Sequence, residues 1–165
     1  MNILVAYFSA SGITKEVALN IEAVLKNTFS KDKVQSFEIA PKTPYSKADL
    51  DWTNENSRTT IECKDKSFRP QMRESIDISS FDTIFIGFPV WWYTAPNIIF
   101  SFLESGDFSG KTIIAFCTSG GSEIDSCVRD MQKCAKNANF KKAHRFNFGE
   151  SKAKLRRFIE GLNLA

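Results

Sequence analysis

The sequence has little of what metal or disulfide chemistry requires. Among its 165 residues there is one histidine, His144, and there are four cysteines, at positions 63, 117, 127 and 134. A single histidine excludes a multi-histidine metal site, and the cysteines show neither a CxxC pair nor zinc spacing. A Ser-His-Asp or Cys-His catalytic site would have to use His144. We therefore predict no metal site and assign no catalytic acid or base.

Long apolar runs and a recognisable leader are also missing. No segment approaches the roughly 20 apolar residues that span a bilayer, and the run at 1–6 is too short and lacks the basic flank of a signal peptide. The net charge is +3, and the basic residues are scattered except on the last predicted helix. These features predict one cytoplasmic domain over 1–165 that contacts neither membrane nor nucleic acid.

Several nucleotide and phosphate motifs are absent. The chain has no GxGxxG after its first apolar run, no GxxxxGK[ST] and no CxxxxxR loop, and no aspartate ends the run at 82–88. These absences argue against a dinucleotide-binding fingerprint, a P-loop, a cysteine phosphatase and a phospho-accepting receiver.

Short apolar runs alternate with longer amphipathic stretches. The runs predict strands at 2–8, 33–40, 82–88, 111–117 and 140–148. Helical spacing predicts helices at 15–29, 47–65, 96–104, 123–137 and 151–162. This alternation indicates an α/β fold with a parallel sheet covered by helices on both faces. The polar 45–70 segment is the least regular part, and its expected apolar anchors are Tyr45, Leu50, Trp52 and Ile61.

In such a sheet, ligands bind beyond the carboxyl ends of the strands. The loop after the first strand contains Ser9, Ser11, Gly12, Ile13 and Thr14 and leads directly into a helix. Unpaired amides at a helix start favour an anion, and three hydroxyls can donate to phosphate oxygens. A plain Ser/Thr helix cap explains this loop about equally well.

The loop after the third strand is unusually aromatic. It reads Pro89, Val90, Trp91, Trp92, Tyr93, and then Thr94 to Pro96. A flat ring system stacks well on such side chains. Packing under the next helix explains one tryptophan but explains all three aromatic residues poorly, because loops at strand ends usually lie at the surface.

The loop after the fourth strand is rich in small residues. It contains Thr118, Ser119, Gly120 and Gly121, followed by Ser122. Amides beside adjacent glycines can donate to the polar edge of a heterocycle, although a flexible turn would look the same. Taken together, one loop for a phosphate, one for stacking and one for ring edges describe flavin mononucleotide (FMN).

At these residues the chain resembles the flavodoxin family, along essentially its whole length. It is most similar to short-chain, flavodoxin-like bacterial proteins with GxPxWW and TSGGS loops, which here read Gly87 to Trp92 and Thr118 to Ser122. The resemblance implies a doubly wound three-layer sandwich with a five-stranded parallel sheet in the order 2-1-3-4-5. It also implies FMN bound with its phosphate at 9–14 and its ring between 89–93 and 118–122, with Trp91 as the first ring contact.

Two departures from the family pattern bear on function. Ile13 stands where flavodoxins often have asparagine, so only its amide can contact the phosphate. Carrier flavodoxins are usually acidic, whereas this chain is basic, which bears on its partners. We expect an electron carrier that docks to a redox partner protein. The alternatives are an FMN-dependent oxidoreductase using NAD(P)H and a quinone or similar acceptor, and a module whose aromatic loop binds a protein. We expect a monomer or weak homodimer.

Overall fold

Parallel strands form a sheet with helices on both faces. The computed structural model describes residues 1–164. The strands are β1 (Asn2–Tyr7), β2 (Lys33–Glu38), β3 (Thr83–Pro89), β4 (Thr112–Thr118), β5 (Asn139–Phe140) and β6 (His144–Phe146). The helices are α1 (Ile13–Thr28), α2 (Arg58–Lys64), α3 (Asn97–Glu104), α4 (Asp125–Cys134) and α5 (Lys152–Gly161). The order β2-β1-β3-β4-β5 confirms the predicted fold class.

Alternation along the central strands builds a core on each side of the sheet. In β1, Ile3 and Val5 pack on the side of α1 and α5, whereas Leu4 and Ala6 pack on the side of α3 and α4. All four are fully buried. Successive side chains of a strand point to opposite faces, so a strand covered on both faces is apolar throughout. This is why the apolar runs predicted the central strands well.

The last strand differs from the prediction at 140–148, because it consists of two short segments. Phe140 pairs with Ile113, and His144 pairs with Phe116. Four residues of the edge strand therefore oppose three residues of β4, which is a one-residue bulge. A local hydrophobic pattern does not reveal a bulge, because the extra residue is defined only by the partner strand.

The predicted helix at 47–65 is wrong over most of its length, since only Arg58–Lys64 is helical. Polar side chains upstream bond to nearby amides instead: Asp49 accepts from Ser46 N at 2.8 Å and Asp51 from Thr53 N at 3.0 Å. Such local bonds compete with helix formation. The helix begins only after Ser57, whose side chain accepts from Thr60 N.

Two of the expected anchors in this segment are also wrong. Trp52 is 74% exposed and Ile61 is 55% exposed. Tyr45, which was also an expected anchor, does pack against the core. Asn97 holds the end of α2 in place by donating from Nδ2 to the carbonyls of Glu62 (2.9 Å) and Asp65 (3.1 Å). The apolar character of a side chain was therefore not enough to predict whether it would be buried in the core.

The helices are short. Within residues 1–164, none combines the length and the apolar character that crossing a bilayer would require. The single-domain boundary at 1–165 stays a prediction.

Candidate cofactor site

The loops after β1, β3 and β4 meet at one edge of the sheet. β1 lies beside β3, and β3 beside β4, with register pairs that end at Tyr7–Gly87 and Pro89–Thr118. The chain leaves β1 for β2 on one side and returns to β3 on the other, so the strand order reverses between β1 and β3. Open α/β sheets bind ligands at such a reversal.

The first loop presents backbone amides at the start of α1. Gly12 precedes the helix with φ 90° and ψ −12°, in the left-handed region, and has no side chain of its own to cap it. The amides of Ile13 and Thr14 lack an earlier helical carbonyl to bond, so this end of the helix favours an anion. Ser9 Oγ accepts from the amides of Gly12 (3.1 Å) and Lys15 (3.2 Å), which holds the loop in shape and leaves the Ser9 proton for donation.

The first and third loops are joined by a buried hydrogen bond. Thr14 Oγ1 and Thr118 Oγ1 lie 2.7 Å apart, and both residues are less than 10% exposed. The predicted phosphate hydroxyls therefore differ in their surroundings: Ser11 is exposed and Ser9 half-buried, whereas the Thr14 hydroxyl already has a protein partner. This bond fixes the start of α1 against the end of β4.

The third loop is partly closed on itself. Ser119 Oγ accepts from the amides of Gly121 (3.2 Å) and Ser122 (2.8 Å). Around Gly120 and Gly121 no heavy atom lies within 4 Å of the place that a Cβ would occupy. The two glycine positions are therefore sterically open, but the Gly121 amide, one of those expected to donate to a ring, is already bonded to Ser119.

The aromatic loop folds into a tight hairpin turn, Trp91–Thr94. Trp91 and Thr94 exchange two backbone hydrogen bonds of 3.0 Å each. Between them, Trp92 has φ 47° and Tyr93 has φ 63°. Bulky residues rarely adopt positive φ, and such strain clusters at functional sites. The turn presents Trp92 at 42% exposure and Tyr93 at 77%, so neither is a core residue.

Two other aromatic rings pack against Trp91. Its centroid lies 5.4 Å from that of Phe8 and 5.7 Å from that of Tyr45, both edge-to-face. Tyr45 Oη donates to Glu62 Oε2 at 2.5 Å, and Arg58 Nε donates to Glu62 Oε1 at 2.9 Å. Burial, with the Glu62 hydrogen bond and charge, raises the pKa of Tyr45 well above its usual value. This arrangement keeps Tyr45 neutral and Trp91 fixed.

A cavity of about 490 Å³, here called the loop cavity, lies beside the hairpin. Of the predicted site residues, its lining contains Ser11, Pro89, Val90, Trp91, Trp92 and Tyr93. Gly12, Ile13 and Thr14 lie just beyond Ser11, at the start of α1. The cavity lies within the size range of small-molecule sites. An aromatic cavity beside an anion-favouring helix start fits a flat ring that carries a phosphate.

Sequence reasoning missed part of the lining. Leu50, Trp52 and Thr59 also line the loop cavity, together with Ala10 and Ser122, which lie within the predicted ranges 9–14 and 118–122. Leu50, Trp52 and Thr59 come from the 45–70 segment, where we predicted apolar anchors but no site residues. Trp52 did carry a signal, since it is an isolated tryptophan in a polar segment, but we interpreted it as a core anchor.

Comparison with known proteins agrees with this geometry. A family model described as flavodoxin matches residues 2–162. The chain belongs to the flavodoxin family. The predicted resemblance is thereby confirmed. A comparison with curated proteins found no match.

Solved structures with the same fold include two at high similarity. A candidate flavoprotein from Bacteroides uniformis ATCC 8492 is 38% identical, with 96% of this chain and 97% of that chain covered and a TM-score of 0.87. One from Bacteroides eggerthii DSM 20697 is 34% identical, with 99% of each chain covered and a TM-score of 0.85. A flavoprotein from Lactobacillus acidophilus NCFM, solved in complex with FMN, is 23% identical over 87% of this chain and 92% of that chain, with a TM-score of 0.64.

Proposed function

We propose that this protein binds FMN at the edge formed by the loops after β1, β3 and β4 and uses it for electron transfer. One observation carries the proposal: in a chain of the flavodoxin family, a helix start that follows a glycine N-cap and an aromatic cavity of about 490 Å³ lie together at the strand-order reversal. The residues present match both the phosphate and the ring of FMN.

The loop at 9–14 is the proposed phosphate site. Ile13 and Thr14 offer amides, and Ser9 and Ser11 offer hydroxyl donors. Gly12 allows the backbone turn without any side chain over the amides. Lys15 Nζ lies 3.6 Å from Glu38 Oε2, so the charge of Lys15 is partly compensated. The backbone amides must therefore supply most of the attraction for the phosphate.

The hairpin and the loop at 118–121 form the proposed ring site. Pro89, Val90 and Trp91 supply a wall that the packing of Trp91 on Phe8 and Tyr45 holds rigid. The residues Thr118, Ser119, Gly120 and Gly121 lie outside the lining of the loop cavity. They are proposed to supply the edge that faces a bound ring, because the Gly120 position is sterically open. Trp92 and Tyr93 complete the wall on its exposed side.

When bound, FMN supplies one- and two-electron chemistry, and the protein sets how readily it occurs. The apolar rings of the loop cavity exclude water from one side and disfavour added negative charge there. The Trp91 amide and carbonyl are used within the hairpin, and Ser126 Oγ donates to the Tyr93 carbonyl at 2.5 Å. The Trp92 amide and carbonyl and the Tyr93 amide therefore remain at this turn for polar contact with a ring.

The proposed role is that of a cytoplasmic carrier, a monomer or weak homodimer that docks to a redox partner protein. A second candidate is an FMN-dependent oxidoreductase that takes hydride from NAD(P)H for a quinone or similar small acceptor. The net charge of +3 favours this alternative. A basic protein attracts an anionic dinucleotide, whereas it is repelled by the basic docking surface that suits an acidic carrier.

Titration of the purified protein with FMN tests the cofactor. Uptake should produce a bound-flavin visible spectrum and quench the fluorescence of Trp91 and Trp92, which line the loop cavity. Absence of both signals would remove the FMN proposal. Anaerobic mixing of the FMN-loaded protein with NADPH then separates the two roles: rapid bleaching supports the reductase, and no bleaching over minutes supports the carrier.

Trp91→Ala tests the ring wall. It should weaken FMN binding about tenfold, because an aromatic contact and its burial are lost. Leu19→Ala, at an exposed position on α1, is the matched control and should leave FMN affinity unchanged. Equal affinities for the Trp91 variant and the unaltered protein would place the ring elsewhere.

A further inference from the structure

A second cavity lies on the other side of the hairpin. Its volume is about 590 Å³, and its walls come from α2, α3, α4 and the turn residues Trp92 and Tyr93. It shares those two residues with the loop cavity but contains none of the residues at 9–14 or 118–121. The second cavity is therefore distinct from the proposed flavin site, and the turn at Trp92 and Tyr93 lies between the two.

One part of the second cavity is aromatic. Its lining includes the exposed rings of Trp92 and Tyr93 and the buried ring of Phe100 from α3, which is 7% exposed. The Arg69 guanidinium lies over the Phe100 ring, 5.4 Å from its centroid. These rings offer flat apolar surface, some of it solvent-exposed, which a ring-bearing ligand would cover.

The other part is positively charged. Four cationic side chains line it: Lys64, Lys66, Arg69 and Lys133. Two of them are compensated. Arg69 donates to both oxygens of Glu104, at 2.9 and 3.0 Å, and Lys133 Nζ donates to Asp130 Oδ1 at 2.7 Å. Lys64 and Lys66 form no ion pair with any residue in 1–164, so they carry the surplus charge of the cavity.

The carboxylate in the lining is already satisfied. Asp130 Oδ2 accepts from Thr94 Oγ1 at 2.9 Å, and Oδ1 accepts from Lys133. Burial alone would raise the pKa of Asp130, but the hydrogen bonds from Lys133 and Thr94 and the charges of Lys133 and Lys66 hold it below its usual value. The two thiols in the lining, of Cys63 and Cys134, stay neutral because burial raises the pKa of each, that of Cys63 to about 11.

We propose that the second cavity binds an aromatic anion, a flat ring bearing a carboxylate, sulfonate or phosphate. The ring lies against Trp92, Tyr93 and Phe100, and the anionic group lies at Lys64 and Lys66. The volume suits a molecule of one to three fused rings, since small-molecule sites occupy roughly 300–1,000 Å³. The site does not depend on FMN binding, so either proposal can fail while the other stands.

Calorimetric titration with naphthalene-2-sulfonate at low salt tests the site, once with the protein alone and once with the protein saturated with FMN. Naphthalene-2-sulfonamide, an uncharged molecule of nearly the same shape, is the matched probe. The sulfonate should bind about tenfold more tightly than the sulfonamide, because only the sulfonate gains charge-assisted hydrogen bonds. High salt should reduce this preference.

The double variant Lys64→Ala/Lys66→Ala should weaken sulfonate binding about tenfold and leave sulfonamide binding unchanged. Lys31→Ala/Lys152→Ala removes the same charge from exposed positions outside both cavities and should change neither. FMN affinity and thermal unfolding of both variants confirm that the fold is intact.

Three results would overturn the proposal. The first is sulfonate affinity that is equal in the Lys64/Lys66 variant and the unaltered protein. The second is sulfonate binding that disappears when FMN saturates the protein, which would place the probe in the loop cavity. The third is an absence of measurable sulfonate binding to the unaltered protein at millimolar concentration.

Discussion

Replacing Gly87 by alanine should destabilise the protein without altering its cofactor site. Gly87 lies in the middle of the sheet, in register with Tyr7 on one side and Phe116 on the other. An added Cβ would lie 2.2 Å from Cζ and 2.3 Å from Cε2 of the Phe116 ring. Phe116 is fully buried, so the ring has no free space to enter.

The expected loss follows from these contacts. Overpacking a closed core costs about 1–3 kcal/mol and sometimes more, and a contact this short places Gly87→Ala at the upper end. The smaller backbone entropy of alanine offsets about 0.5–1 kcal/mol. The net loss in free energy of unfolding is about 2 kcal/mol, which lowers Tm by about 4–8 °C in a protein of this size.

Thermal and urea unfolding measure this loss, and two further variants show its origin. Gly161→Ala, at the end of α5 with nothing within 4 Å of the added Cβ, should leave stability unchanged or slightly raised. Phe116→Leu should restore part of the stability when combined with Gly87→Ala, because it makes room for the methyl group. FMN affinity of Gly87→Ala, measured well below its Tm, should equal that of the unaltered protein. A stable Gly87→Ala variant that has lost FMN binding would refute this reasoning.

Three further predictions concern single positions. Gly12→Ala should lower the free energy of unfolding by about 1 kcal/mol, because alanine is strained at φ 90°, and it should weaken FMN binding. Unchanged values in denaturant and FMN titrations would contradict the proposed phosphate site at 9–14. Tyr45→Phe should lower the free energy of unfolding in urea by about 1 kcal/mol, because the hydrogen bond to the Glu62 carboxylate is lost. Tyr93→Phe, at an exposed ring, should leave it unchanged. Equal losses in the two variants would argue against a stabilising Tyr45–Glu62 hydrogen bond. Burial beside Phe146 and Phe158 lowers the pKa of His144 in the folded protein below its usual value of 6.5. The unfolded chain therefore binds a proton at this histidine more readily than the folded protein does. The free energy of unfolding should consequently fall as the pH drops below about 6.5. Unfolding free energies at pH 7.5 and 5.5 should show a smaller decrease in His144→Gln, and identical decreases would exclude His144 as the cause.

Most of the sheet could be predicted because its signals are local. The central strands are buried on both faces and appear in the sequence as unbroken apolar runs, such as residues 3–6, whatever their partners are. Five βα connections then left few alternative topologies. The three site loops could be located for the same reason, since each directly follows a predicted strand.

The parts that could not be predicted depend on contacts between distant residues. The pair Thr14–Thr118 joins positions 104 residues apart, and no local pattern signals it. The turn at Trp92 and Tyr93 adopts positive φ without glycine or asparagine, so the usual turn signal is missing. The 45–70 segment has helix-like apolar spacing, but its Asp, Asn and Ser side chains bond to their own backbone, and this local competition shortened the helix.

The sequence by itself therefore determined the fold class and the edge of the sheet where a cofactor belongs, because both follow from local hydrophobic periodicity and from handed connections, whereas the strand order was implied by the resemblance to the flavodoxin family. Only the tertiary structure decided which side chains line that edge, with Trp52 and Leu50 entering the loop cavity from a segment of irregular sequence. It also brought Lys64, Lys66 and Phe100 into the lining of the second cavity. Cavities form between elements whose relative positions are set by packing, and sequence spacing carries little information about that packing.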